Sequence, residues 1–193
     1  MKSVAVYMGS SRGNRPAYAA AAHALGTALA SKQLQLVYGG GSVGLMGITA
    51  DAVLESGGEV LGVITQQLKE MEVAHNQLTE LAVVPGMHER KALMAQRADA
   101  FVALPGGFGT LDEFFEIITW GQLRIHNKPC GLLNIEGYFD PLLGFLKRCV
   151  DDEFVQAHNY DNLIIANTPP ELLQGFADHY ENPPEQVEKW TDR

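Results

Sequence analysis

The chain has 193 residues, 46% of them hydrophobic and 19% charged, with a formal net charge of −9 at pH 7. Such a length fits one domain with a sizeable core, and such a hydrophobic share excludes general disorder. The acidity excludes a conventional nucleic-acid binder, which needs a basic stripe, but not a small phosphate ligand, since backbone amides hold one without net positive charge. There is no C-x-x-C and no H-E-x-x-H: after His88-Glu89, Ala92 stands where the second histidine would be needed. The two cysteines, Cys130 and Cys149, read as free buried thiols of a reducing cytoplasm. The first apolar run is closed early by Gly9 and Ser10, too soon for a signal-peptide core, and no apolar stretch approaches the roughly 18–20 residues of a membrane span.

In chain order, residues 4–8 form an apolar run closed by Gly9-Ser10-Ser11, a buried strand and its loop. Pro16 opens an Ala-rich helix over 16–30, with Tyr18, Ala22, Leu25 and Leu29 at helical spacing. A second strand over 34–38 ends in Gly39-Gly40-Gly41, a helix over 43–55 is stopped by Gly57-Gly58, and a third strand covers 60–64. Residues 65–77 carry no clear pattern. A strand over 78–84 precedes Pro85-Gly86, a helix covers 87–97, and a strand covers 100–104. A helix over 110–125, a strand over 130–133, a helix over 141–150, a strand over 163–166 and a helix over 170–179 complete the pattern. The chain thus predicts an α/β, Rossmann-like, doubly wound parallel sheet with helices on both faces, one domain over 1–180 and a loose tail over 181–193. Ligands of such folds bind at the carboxyl ends of the strands, near the topological switch point, so the strand-to-helix loops are the ones that matter.

Three of these loops are rich in Gly or Ser. Gly39-x-Gly41-x-x-Gly44 is a formal dinucleotide fingerprint, but the acidic residue that a ribose would need is misplaced: Glu59 opens the next strand instead of ending it. Pro105-Gly106-Gly107-Phe108-Gly109-Thr110 is the most informative. Its glycines let successive amides turn toward one anion, the helix dipole adds about half a positive charge there, and Thr110 offers a hydroxyl. No Gly-Lys-Ser/Thr follows, which argues against an ATP-hydrolysing machine. Thr110 and Glu113 also match a capping box, and that competes with a free carboxylate at Glu113. In Met87-His88-Glu89-Arg90-Lys91, Arg90 is placed to reach the same cleft, while a solvated charged face is the bland alternative and His88 reads as a surface or packing residue. Phe114, Phe115, Ile117, Ile118 and Trp120 put apolar groups on several faces of one helix, which fits either a core helix or a subunit interface.

The run from Pro105 to Glu113, preceded by that from Met87 to Lys91, resembles the LONELY GUY family, cytokinin riboside 5′-monophosphate phosphoribohydrolases that often carry an older label, lysine decarboxylase. The likeness extends over residues 4–166 and takes in the Gly-Ser-Ser opening, Tyr38-Gly39-Gly40-Gly41 and Lys128-Pro129-Cys130-Gly131. It implies hydrolysis of the N-glycosidic bond of an adenosine 5′-monophosphate to a free base and ribose 5-phosphate, without a cofactor, in a homodimer, while the cysteines and the lack of a signal or membrane span predict a cytoplasmic protein. Arg90 and Glu113 fall on the family's catalytic positions. Gly106, Gly107, Phe108, Gly109 and Thr110 fall on its phosphate loop. Gly9, Ser10, Gly39, Gly40, Gly41, Met87 and Lys91, in or beside the matched motifs, are expected at the nucleotide.

The residues suit that chemistry. Breaking a ribose–base bond builds positive charge on the sugar, which an ionised Glu113 would oppose, or it would hold the hydroxyls or orient the water. Arg90 is a poor general acid and better suited to binding oxygens or fixing Glu113. Two rivals differ in class. A decarboxylase needs a lysine Schiff base to pyridoxal phosphate, and no lysine sits in a recognisable motif for it. A non-catalytic nucleotide carrier or sensor would use the same glycine loops and leave the nucleotide intact.

Overall fold

The structure, a computed structural model, describes residues 1–71 and 74–184. Seven parallel strands form one sheet: β1 (Ser3–Tyr7), β2 (Gln35–Tyr38), β3 (Val60–Thr65), β4 (Glu80–Val84), β5 (Ala100–Ala103), β6 (Cys130–Leu133) and β7 (Leu163–Ala166). Their spatial order is β4-β3-β2-β1-β5-β6-β7. The chain therefore walks outward from β1 to one edge, returns to the centre, and walks outward to the other edge. The switch point lies between β1 and β5, paired from Val4 with Ala100 to Tyr7 with Ala103.

The period-two alternation of strands explains the two cores. In β1, Val4 and Val6 face one layer, where they meet Tyr18, Leu25 and Leu29 of α1 (Pro16–Ser31), Leu45 and Val53 of α2 (Gly44–Glu55), and Leu172 and Phe176 of α8 (Pro169–Glu181). Ala5 and Tyr7 face the other layer, with Met94 of α4 (Met87–Arg97), Phe114 and Ile117 of α5 (Phe108–Gln122), and Leu142 and Leu143 of α6 (Asp140–Asp151). Burial on both faces is why these strands read as unbroken apolar runs. The expected doubly wound sheet is the one observed.

Three short helices were not foreseen: α3 (Gln66–Glu70), a 3-10 turn (Ile135–Gly137) and α7 (Ala157–Asp161). Each is too brief to show an apolar period. α3 is held by its start, where the Thr65 side chain accepts from the Leu68 amide. The helix expected over 110–125 begins two residues earlier and ends three earlier. The expectation of two buried thiols holds for Cys130, which burial pushes up to about 12, whereas Cys149 is partly exposed; both are free. Among the described residues no helix is long and apolar enough to cross a membrane. Of the tail expected to be loose, residues 185–193 lie outside the described residues.

Candidate active site

The loops after β1, β2 and β5 lock together at the switch point. The Gly9 amide donates to the Pro105 carbonyl at 3.1 Å, and the Gly9 carbonyl accepts from the Leu45 amide at 3.1 Å. Gly44, with φ of +63°, presses directly on the Ser10 backbone, where a side chain would overlap it. The Gly44 that completes the dinucleotide fingerprint thus serves loop packing. Glu59 lies just before β3, at the opposite end of the sheet from this cleft.

Helices α1, α2, α4 and α5 all begin on this edge, and none has a side-chain cap at its start. Side chains leave these starts uncapped, and the dipoles make the edge attractive to an anion. α5 is the clearest case. Its N-cap is Gly107, there is no acidic residue in its first turn, and a Cβ at Gly107 or Gly109 would meet nothing within 4 Å. Because the helix starts at Phe108, Thr110 lies inside the first turn and does not cap it, so the capping-box reading of Thr110 and Glu113 is corrected. Thr110 is buried, its hydroxyl against Gly106, while Phe108 is 95% exposed. Tyr138, which sequence reasoning missed, holds this loop from behind: its hydroxyl donates to the Gly106 carbonyl at 2.6 Å.

One turn along α5, Glu113 meets Arg90 of α4. Arg90 Nη1 donates to Glu113 Oε1 at 2.5 Å, and the two side chains are only 8% and 12% exposed. Arg90 Nε donates to the Val63 carbonyl at 2.9 Å, at the end of β3. Its Nη2 lies against Gly39, in the space a Cβ would take. The guanidinium is thereby fixed from three sides. Burial pushes the Glu113 carboxyl up, the Arg90 charge and hydrogen bond pull it back, and its pKa stays above the ordinary glutamate value.

The other expected positions differ in exposure and partners. Ser10, Met87 and His88 are exposed. Gly40 accepts from the His75 amide at 2.9 Å, and Gly41 bridges Ala74, so the triple-glycine loop is tied to the segment after α3. There, buried His75 places Nε2 2.9 Å from Asp51 of α2. Lys91 reaches Asp112 at 3.2 Å and Glu116 at 3.0 Å on α5. Burial lowers its affinity for a proton, the two carboxylates raise it more, and the ammonium stays charged. Lys128, the other described lysine that is not exposed, donates to the carbonyls of Ala95 and Ala98. Neither is the desolvated, unpartnered amine that a Schiff-base mechanism uses.

Comparisons with known proteins show the family. The family described as "Possible lysine decarboxylase" matches residues 46–176. A cytokinin riboside 5′-monophosphate phosphoribohydrolase of Arabidopsis thaliana is 48% identical over 173 residues, 90% of this chain and 76% of its own. Another from the same plant is 46% identical over 178 residues, 92% of this chain and 84% of its own. One from Oryza sativa subsp. japonica is 46% identical over 183 residues, 93% of this chain and 76% of its own. Among solved structures, the molybdenum cofactor binding protein of Rippkaea orientalis superposes with a TM-score of 0.71 at 21% identity, covering 93% of this chain and 97% of its own, which shows a shared fold. With this identity to the plant enzymes over nine-tenths of its length, the chain belongs to the LONELY GUY family of cytokinin riboside 5′-monophosphate phosphoribohydrolases.

Proposed function

We propose that this chain hydrolyses adenosine 5′-monophosphates, plain or bearing a cytokinin side chain on the exocyclic amine, to the free base and ribose 5-phosphate. The observation that carries the reading is the buried Arg90–Glu113 pair one helical turn from the uncapped start of α5. The 5′-phosphate sits on the amides of Gly107, Phe108, Gly109 and Thr110, and the ribose then reaches Glu113. As the C1′–N bond breaks, the electron pair leaves with the base. The ionised Glu113 opposes the growing positive charge on the sugar. The oxygen of one water bonds to C1′, and its proton balances the charge on the leaving base. Arg90 spends its donors on Val63 and Glu113, so it orients the carboxylate and does not act as an acid. Gly9, Ser10, Gly40, Gly41 and Met87 border the cleft from the neighbouring loops.

The same reading makes the protein a cytoplasmic homodimer. Two free cysteines suit a reducing compartment. α6 is strongly two-faced yet has no fully buried residue, and Phe145 on it is exposed, as are Leu123 and Ile125 past the end of α5. A second copy would cover exposed apolar groups of this kind.

Incubation of the purified protein with AMP, followed by chromatography, tests the activity. Adenine and ribose 5-phosphate in equal amounts are expected. Tight binding with AMP recovered intact would instead mark a carrier.

A further inference from the structure

The two central groups of the site stand on different helices, Arg90 on α4 and Glu113 on α5, so something must hold the helices in register. Lys91 follows Arg90 directly. Its ammonium lies 3.2 Å from Asp112 Oδ2 and 3.0 Å from Glu116 Oε2, the residues one before and three after Glu113. Its side chain is 13% exposed, against 63% for Asp112 and 28% for Glu116. The cation is thus packed between the helices, with its donors directed at α5.

We propose that Lys91 is a positioning residue: by bridging Asp112 and Glu116 it holds α5 against α4 in the register where Glu113 meets Arg90, and it offsets the Asp112 carboxylate beside Glu113. The inference rests on the catalytic reading of Glu113. The charged and titratable groups around that carboxyl are Arg90 and Lys91 from α4, Asp112 and Glu116 from α5, and the Tyr7 phenol from β1. Asp112 works against ionisation of Glu113, while Arg90 and Lys91 favour it. Without Lys91 only Arg90 opposes the negative neighbour Asp112, and Glu113 holds its proton to higher pH. An ammonium that served the substrate phosphate would behave differently, because its loss would weaken binding and leave the carboxyl where it was.

The experiment compares Lys91→Met, Lys91→Arg and the double variant Lys91→Met with Asp112→Asn. Thermal melts monitor the fold. Lys91→Met is expected to lower kcat for AMP by roughly 10²-fold, with KM little changed, and to move the acid limb of kcat/KM to higher pH. Lys91→Arg keeps a cation between the same carboxylates and restores most of kcat. The double variant removes one of the opposing charges and returns the acid limb toward wild type. An acid limb unmoved in Lys91→Met, or a double variant no better than the single one, overturns the proposal. Titration of the Glu113 carboxyl by NMR on carboxyl-labelled protein needs no turnover. It therefore still decides the role of Lys91 if the wild type leaves AMP intact, a result that would sink the catalytic reading instead.

Discussion

Gly39 leaves open the space that the Arg90 guanidinium fills: a Cβ at position 39 would overlap Nη2. The guanidinium is the free end of a long side chain, but it cannot swing away without giving up the Val63 carbonyl or Glu113. Gly39→Ala should therefore disturb the catalytic pair while the sheet stays intact. The expected result is a fall in kcat/KM for AMP of roughly 10²-fold, with an unchanged circular dichroism spectrum. Activity near wild type would mean that Arg90 need not lie where it does.

Glu113→Gln keeps the size of the side chain and an oxygen for Arg90 Nη1, and removes the charge that faces the sugar cation. Losing one such electrostatic contribution costs about 3 kcal/mol or more, so kcat should drop by about 10²-fold or further. Steady-state kinetics on AMP checks it. Because Thr110 and Glu113 do not form a capping box, an early-melting but fully active variant is the outcome that would contradict this assignment.

Arg90→Ala removes the counter-charge of a buried carboxylate as well as its positioning, and should cut both turnover and stability. Arg90→Lys should rescue neither fully. A planar fork reaches Val63 and Glu113 together, and a single ammonium cannot keep both contacts in the same geometry. A lysine variant with wild-type kcat would show that a diffuse positive charge suffices.

The raised Glu113 pKa fixes two pH dependences. If the working form is ionised, the acid limb of kcat/KM lies above the ordinary glutamate range and is lost in Glu113→Gln. For stability the sign is the opposite of an ordinary ion-paired carboxylate. A folded pKa raised by burial contributes stability that is full below the unfolded value and disappears as pH rises through the folded one. The melting temperature of Glu113→Gln relative to wild type should accordingly rise from acid toward neutral pH. A difference that falls with pH would show Arg90 outweighing burial.

Much of this architecture could be read from the residues. Strands buried on both faces show as plain apolar runs, and Gly-rich strand ends point to the cleft without coordinates. Arg90 and Glu113 could be named because their motifs are local. Their neighbours Val63 and Gly39, and Tyr138 behind Gly106, could not, because they arrive from other strands and turns and leave no local signal. The same holds for Lys91, whose carboxylate partners lie about 20 residues away on another helix, and for the start of α5, where the capping pattern at Thr110 falls three residues past the real N-cap, Gly107.

The last prediction concerns the phosphate. AMP should be cleaved and adenosine scarcely touched. α5 begins with Gly107, Phe108 and Gly109 open toward the cleft and no capping side chain, so several amides and the helix dipole converge on one place. Glu113 is one turn further, roughly 5 Å in rise from Thr110, about the reach from a 5′-phosphate to the far side of its ribose. A phosphate anchored at the helix start therefore puts C1′ beside the carboxylate, and binding energy from a group that does not react is used to orient the bond that does. Removing the phosphate should lower kcat/KM by several orders of magnitude, on the order of 4 kcal/mol or more. Thr110→Ala, which removes the hydroxyl packed inside the loop at Gly106, should harm AMP cleavage more than any residual adenosine cleavage. Comparable kcat/KM for the two substrates, measured side by side, would refute the anchor and turn the reading toward a nucleoside hydrolase.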